Sequence, residues 1–219
     1  MNESVSVPRP RPMRREIVWD PLVRIGHWAL VAAFAIAYVT AEEDTAAPDV
    51  FHVWGGYVIG AIVVLRILWG FVGPQHARFS DFVCSPVAAL RYLAGLISGG
   101  AKRHLGHSPA GGAMVIALLA CLGATVVTGI MANETPGKAP PAQDAAAVVR
   151  PALADTERGG DRGERSGETE SAIGELHAAL ANITLGLVIL HILGVGLASF
   201  AHRENLVAAM IDGTKRAED

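Results

Sequence analysis

Cysteine is scarce in this chain. Cys84 and Cys121 are its only two, which excludes a disulfide framework, a CxxC pair and a thiolate metal site. There is no CxxCH, so any haem would be held non-covalently, as b-type haem. Charge of one sign is also lacking: 18 Lys and Arg against 21 Asp and Glu give a formal net charge of -3. The basic residues flank apolar runs instead of forming one patch, so nucleic acid is not an expected partner. No internal repeat of the kind that marks many transporters is present. Apolar sequence is abundant: 51% of residues are hydrophobic and 18% charged. That balance is high for a soluble domain and ordinary for a small polytopic membrane protein.

Four apolar runs are long enough to cross a bilayer. The first, residues 21–41, follows a Pro- and Arg-rich segment, 1–20, whose first sixteen or so residues are expected to be a disordered basic tail. Its basic flank and its Val39-Thr40-Ala41 end raise a cleavable signal peptide, but its length, Arg24 and His27 fit a retained span better. The second run, 50–72, is interrupted only by Arg66 and stops at Gly73-Pro74. The third, 112–132, has neither charge nor histidine, so it can pack and shield but cannot ligate through imidazole. The fourth, 176–200, is uncharged between His177 and Phe200.

Loop charge orients the spans. The link 42–49 holds Glu42, Glu43, Asp44 and Asp49 with no basic residue, whereas the loop 73–110 holds Arg78, Arg91, Lys102 and Arg103 against Asp81. By the positive-inside rule both termini are expected to be cytoplasmic. In loop 73–110, Ser85-Pro86 reads as a helix start, and Leu90, Leu93, Leu96 and Ile97 form an apolar stripe too short to span, as on a helix lying at the membrane surface. Residues 133–172 are poor in large apolar residues and are expected to be a mobile periplasmic loop. Segment 202–219 reads as a cytoplasmic tail with a short amphipathic stretch, 204–211.

Of the eight histidines, four fall inside spans: His27, His52, His177 and His191. Ionisable groups at membrane depth are costly and usually face a bundle interior with a partner. His177 and His191 are fourteen residues apart; at ~100° and 1.5 Å per residue they share a face to within roughly 40°, about 21 Å apart. The topology places His27 at the depth of His191, towards the cytoplasm, and His52 at the depth of His177. Each pair offers two imidazoles on different helices, as bis-histidine ligation of an iron requires. Bundle histidines bonded to neighbouring helices are the competing reading. Arg24 and Arg66 share helical faces with His27 and His52 on the cytoplasmic side, within reach of haem propionates or of lipid headgroups. Gly26, Gly55, Gly56, Gly60 and Gly186 near the ligands suit either close approach of a flat macrocycle or ordinary helix contacts. His76, His104, His107 and His202 are expected to be solvated or at headgroup level.

The segments VWDPLVRIGHW, FHVWGGYVIGAIVVLRILWGFVGP, ARFSDFV, RHLGHSPAGGAM, LHAALANITLGLVILH and HRENLVAAMI together resemble the bacterial cytochrome b561 family, which includes the b-type cytochrome subunits of nickel-iron hydrogenases. The likeness omits the N-terminal tail and the 133–172 link. It implies an all-α, four-helix membrane bundle in the bacterial inner membrane with two b haems on His27, His52, His177 and His191, the four residues that topology selects. It also implies a quinone as exchangeable substrate. Three redox roles follow: reduction of a periplasmic cytochrome c or similar carrier, anchoring of a hydrogenase or other dehydrogenase, and superoxide oxidation at the outer haem. A small transporter with a histidine-lined path and a structural anchor are the non-redox alternatives.

Overall fold

In a computed structural model of the chain, residues 15–41, 49–134 and 160–217 are described, with side chains in the last segment from residue 172 onward. Strand β1 spans Arg15–Ile17, followed by α1 Pro21–Val39, α2 Val50–Val72, a 3-10 turn Gln75–Ala77, α3 Phe79–Phe82, α4 Pro86–Ser98, α5 Pro109–Glu134, α6 Gly160–His202, α7 Leu206–Asp212 and β2 Thr214–Arg216. Pro21–Val39, Val50–Val72, Pro109–Asn133 and Ala172–His202 are each long and apolar enough to cross a membrane.

The chain supplies its own punctuation. The Asp20 carboxylate accepts from Leu22 N (3.0 Å) and Val23 N (3.2 Å), with Pro21 at the first helical position, so α1 starts abruptly. Asp49 accepts from Phe51 N at 2.7 Å and starts α2 in the same way. Ser85 accepts from Ala88 N, and Gly99, at φ 77°, ends α4 in the left-handed conformation that glycine adopts without cost. On α4, Ala89, Tyr92 and Leu96 turn inward, while Val87, Leu90, Leu93 and Ile97 face away from the protein.

Three spans form the packed part of the bundle. Neighbouring helices pair as α1 with α2, α2 with α5, and α5 with α6. Ala33, Ala37, Ile59, Val63 and Leu122 are buried together, with Leu30, Phe34, Leu119 and Val126 against them. All nine come from α1, α2 and α5. Helix α6 lies along α5, and among the described residues it does not pack closely on α1 or α2. A bond from Tyr38 Oη to Asn182 Oδ1, 2.9 Å, joins α1 to α6.

The end of the bundle from which α1 departs is capped by both ends of the described chain. Here β1 pairs antiparallel with β2, with Glu16 opposite Lys215, and Val18 N and Trp19 N donate to Gly213 O. Arg103 Nη2 reaches Glu204 Oε1 at 2.7 Å and also donates to Arg216 O. Lys215 lies 5.5 Å over the Trp19 ring, and burial lowers its ammonium pKa against the opposing pull of Glu204.

This corrects two expectations. The ordered N-terminal part begins at Arg15, inside the expected tail; 1–14 lie outside the described residues. In the C-terminal segment 202–219, α7 lies over most of the amphipathic stretch 204–211 and β2 follows it. Helix α6 begins at Gly160, inside the expected loop 133–172. Once the apolar span fixes a helix, each further residue needs only its own ordering for one more hydrogen bond, and 160–171 contain Glu and Arg but no proline to stop it. The expected mobility of 135–159 falls outside the described residues.

Candidate cofactor sites

The membrane span of α6, Ala172–His202, carries His177 near its start and His191 in its second half, and the bundle presents a partner to each. His27 of α1 and His191 of α6 have ring centroids 6.4 Å apart with planes at 57°. His52 of α2 and His177 of α6 are 5.9 Å apart with planes at 81°. An ion held by both imidazoles at about 2 Å from each ring nitrogen sets the two centroids about 6 Å apart. Both pairs lie along the line where α6 stands off from α1 and α2. Among the described residues no three or more His, Cys, Asp or Glu side chains gather as a metal cage. Two imidazoles alone suit a metal whose other ligands come with it, as in haem.

Hydrogen bonds fix the tautomers of one pair. His52 Nδ1 is 2.8 Å from Ala37 O, and His177 Nδ1 is 2.9 Å from Thr125 O. A carbonyl oxygen only accepts, so each Nδ1 carries the proton and each Nε2 keeps its lone pair for a metal. Thr128 Oγ1 stands 3.3 Å from His177 Nδ1 while its own hydroxyl is directed at Ala124 O and Thr125 O, so it can accept as well. Gly129 makes room for the ring: a Cβ there would lie 2.9 Å from His177 Cε1. His27 differs, since its Nδ1 is shut off from solvent with no partner among the described residues.

The two arginines stand at the capped end. Arg24 donates to Ile211 O in the last turn of α7, while its buried Nε has no partner among the described residues. Arg66 Nη1 reaches Ala77 O at 3.1 Å, and the guanidinium lies 5.5 Å from the Phe79 ring centroid and 5.8 Å from that of Phe82.

The glycines divide. A Cβ at Gly55 would meet Ala37 Cβ at 3.0 Å, and one at Gly60 would meet Val126 at 3.0 Å, so these are helix contacts; Gly26 is in ordinary contact range of Ile62. At Gly56 and Gly186 a Cβ would meet nothing within 4 Å.

Among the other histidines, His107 departs from expectation. It is half-buried with its Nδ1 sealed from solvent, its ring 4.6 Å from Trp19 and 4.4 Å from Phe82. Trp19 is brought there by the β1–β2 cap, which the sequence pattern does not announce. His76 pairs with Asp81 at 3.1 Å, His104 Nδ1 donates to Lys102 O, and His202 Nε2 meets Tyr92 Oη at 3.0 Å.

Sequence reasoning missed what orients the His52/His177 pair. The Ala37 and Thr125 carbonyls belong to the backbone and leave no residue signature. Thr128 and Gly129 did leave one: with Thr125 they make a polar, small patch at i, i+3 and i+4 on an otherwise apolar span.

The fold defines a helical membrane protein with four candidate spans and two imidazole pairs between its helices. A family model described as prokaryotic cytochrome b561 matches residues 18–213, and the chain belongs to that family. It is therefore a membrane b-type cytochrome that binds haem b and transfers electrons, a multi-pass protein of the bacterial inner membrane. No curated protein and no solved structure matches the chain.

Proposed function

We propose that the chain is a di-haem conduit that carries electrons across the inner membrane between the quinone pool and a redox partner. One haem is held by His27 and His191 and the other by His52 and His177. The observation that carries this reading is the pairing itself: two imidazole pairs on separate helices, centroids 6.4 and 5.9 Å apart, at different depths along the membrane span of α6. Haem b supplies reversible one-electron exchange, and the protein supplies axial ligands, burial and nearby charge. Ala37 O and Thr125 O hold His52 and His177 with Nε2 directed for ligation. Arg24 and Arg66 each keep N–H donors beyond their carbonyl bonds, and these serve the propionates of the haem on His27 and His191. The capped end faces the cytoplasm, as Arg78, Arg91, Lys102 and Arg103 in its loops favour.

A reduced-minus-oxidised absorption spectrum of the detergent-purified protein, with haem quantified per chain, tests the reading. The wild type is expected to hold about two b haems, and His52→Ala and His191→Ala about one each. A wild-type protein with one haem that survives either substitution would overturn it.

A further inference from the structure

The two imidazole pairs have unequal surroundings. In the His52/His177 pair both rings donate Nδ1–H to a backbone carbonyl, at 2.8 and 2.9 Å. In the other pair His27 Nδ1 is buried with no acceptor among the described residues. An imidazole that donates its second N–H to an oxygen is a more basic ligand, and a more basic ligand favours the ferric over the ferrous state.

We infer that the His52/His177 site is built to the lower reduction potential of the two, and that α5, which supplies no ligand, sets it through Thr128 and Gly129 as positioning residues for His177. This rests on the reading that each pair holds a haem. Gly129 lets the imidazole approach α5 closely enough to donate to Thr125 O, and Thr128 Oγ1 offers a second acceptor 3.3 Å from the same nitrogen. Without the glycine a Cβ would stand 3.2 Å from Nδ1 itself and force the ring away from the carbonyl.

Redox titration of the purified holoprotein, followed by haem absorbance, provides the test. His52→Ala is expected to abolish the lower-potential wave and His191→Ala the higher. Thr128→Val keeps the shape of the side chain and removes one acceptor; it is expected to raise the lower wave and leave the upper unmoved. Gly129→Ala should raise the same wave further, by about a tenfold change in the ferric–ferrous equilibrium, or about 59 mV for one electron. It should also alter the electron paramagnetic signal of one ferric haem only. Gly123→Ala, on the same helix where a Cβ meets nothing within 4 Å, should change neither wave. Loss of the higher wave in His52→Ala overturns the inference while leaving the haem assignment intact. So does Thr128→Val with normal haem content and both waves in place. A His52→Ala protein that keeps both haems overturns the assignment, and the inference with it.

Discussion

Gly55 and Gly56 are adjacent on α2, yet the same added methyl group should have opposite consequences. At Gly55 a Cβ would lie 3.0 Å from Ala37 Cβ and 3.3 Å from Ala33 O, where α1 and α2 touch; at Gly56 it would meet nothing within 4 Å. Carbon atoms settle at about 3.5–4.0 Å, so Gly55→Ala must drive the helices apart by roughly 0.5–1 Å. Overpacking of that kind costs about 1–3 kcal/mol. The displacement also falls on a proposed ligand, because Ala37 O accepts the His52 Nδ1–H at 2.8 Å. With roughly 2–4 °C lost per kcal/mol in a chain of this size, Gly55→Ala should melt about 2–12 °C lower. Gly56→Ala meets no neighbour and gains helix propensity, so its midpoint should hold or rise slightly. The assay is thermal loss of helical circular dichroism in one detergent at one protein concentration, with haem absorbance followed alongside. Equal midpoints for the two variants, or a larger loss for Gly56→Ala, would refute the packing argument.

Two further predictions concern the capped end. Burial alone would raise the Glu204 pKa, but the Arg103 hydrogen bond and charge, with Lys215 and the Arg216 N–H, hold it below its ordinary value. A carboxylate lowered on folding stabilises above the unfolded pKa and loses that contribution as pH falls below about 4.3. Glu204→Gln should therefore loosen α7 and β2 by about 1–2 kcal/mol at pH 7 and by much less at pH 3, read as faster amide hydrogen exchange there; equal exchange at pH 7 would refute this. His107 is pushed down to about 3, first by burial and then by the charges of Arg66 and Lys215. The unfolded chain then binds more protons than the folded one between about pH 6.5 and 3, so stability is lost as pH falls through that window, by about 1.4 kcal/mol at pH 5.5. His107→Phe should flatten this slope and cost nothing at pH 7.5, since it removes a buried nitrogen that lacks a partner. A thermal midpoint with the wild-type pH dependence would refute it.

What the sequence makes legible follows from where water is absent. In an apolar span every ionisable residue stands out, so His27, His52, His177 and His191 are visible at once, and counting helical rise pairs them by depth. At the capped end, where water competes, the same counting fails. The three-residue strands β1 and β2 carry no alternation long enough to read, and their pairing is what places Trp19 against His107 and Lys215. The expected start of helix four near 176 fails for a related reason: composition marks where a helix enters the bilayer, whereas the helix itself extends as far as its backbone bonding is uninterrupted.

The third span shows most clearly how a residue pattern can be read correctly for what it cannot do and still mislead about its role. Lacking histidine, α5 supplies no imidazole ligand, but α6 depends on it. Helix α6 carries an imidazole of each pair and, among the described residues, meets α1 and α2 far less closely than it meets α5. Its position is set from the other side, by α5. Thr184, midway between His177 and His191 on α6, is fully buried and faces Thr125 Oγ1 at 3.4 Å, while Thr125 O accepts from His177. One residue of α5 therefore touches both the ring of one proposed ligand and the helix stripe that leads to the next. A side chain there that kept the helix but displaced α6 would disturb both imidazole pairs together, which no substitution at a single histidine can do.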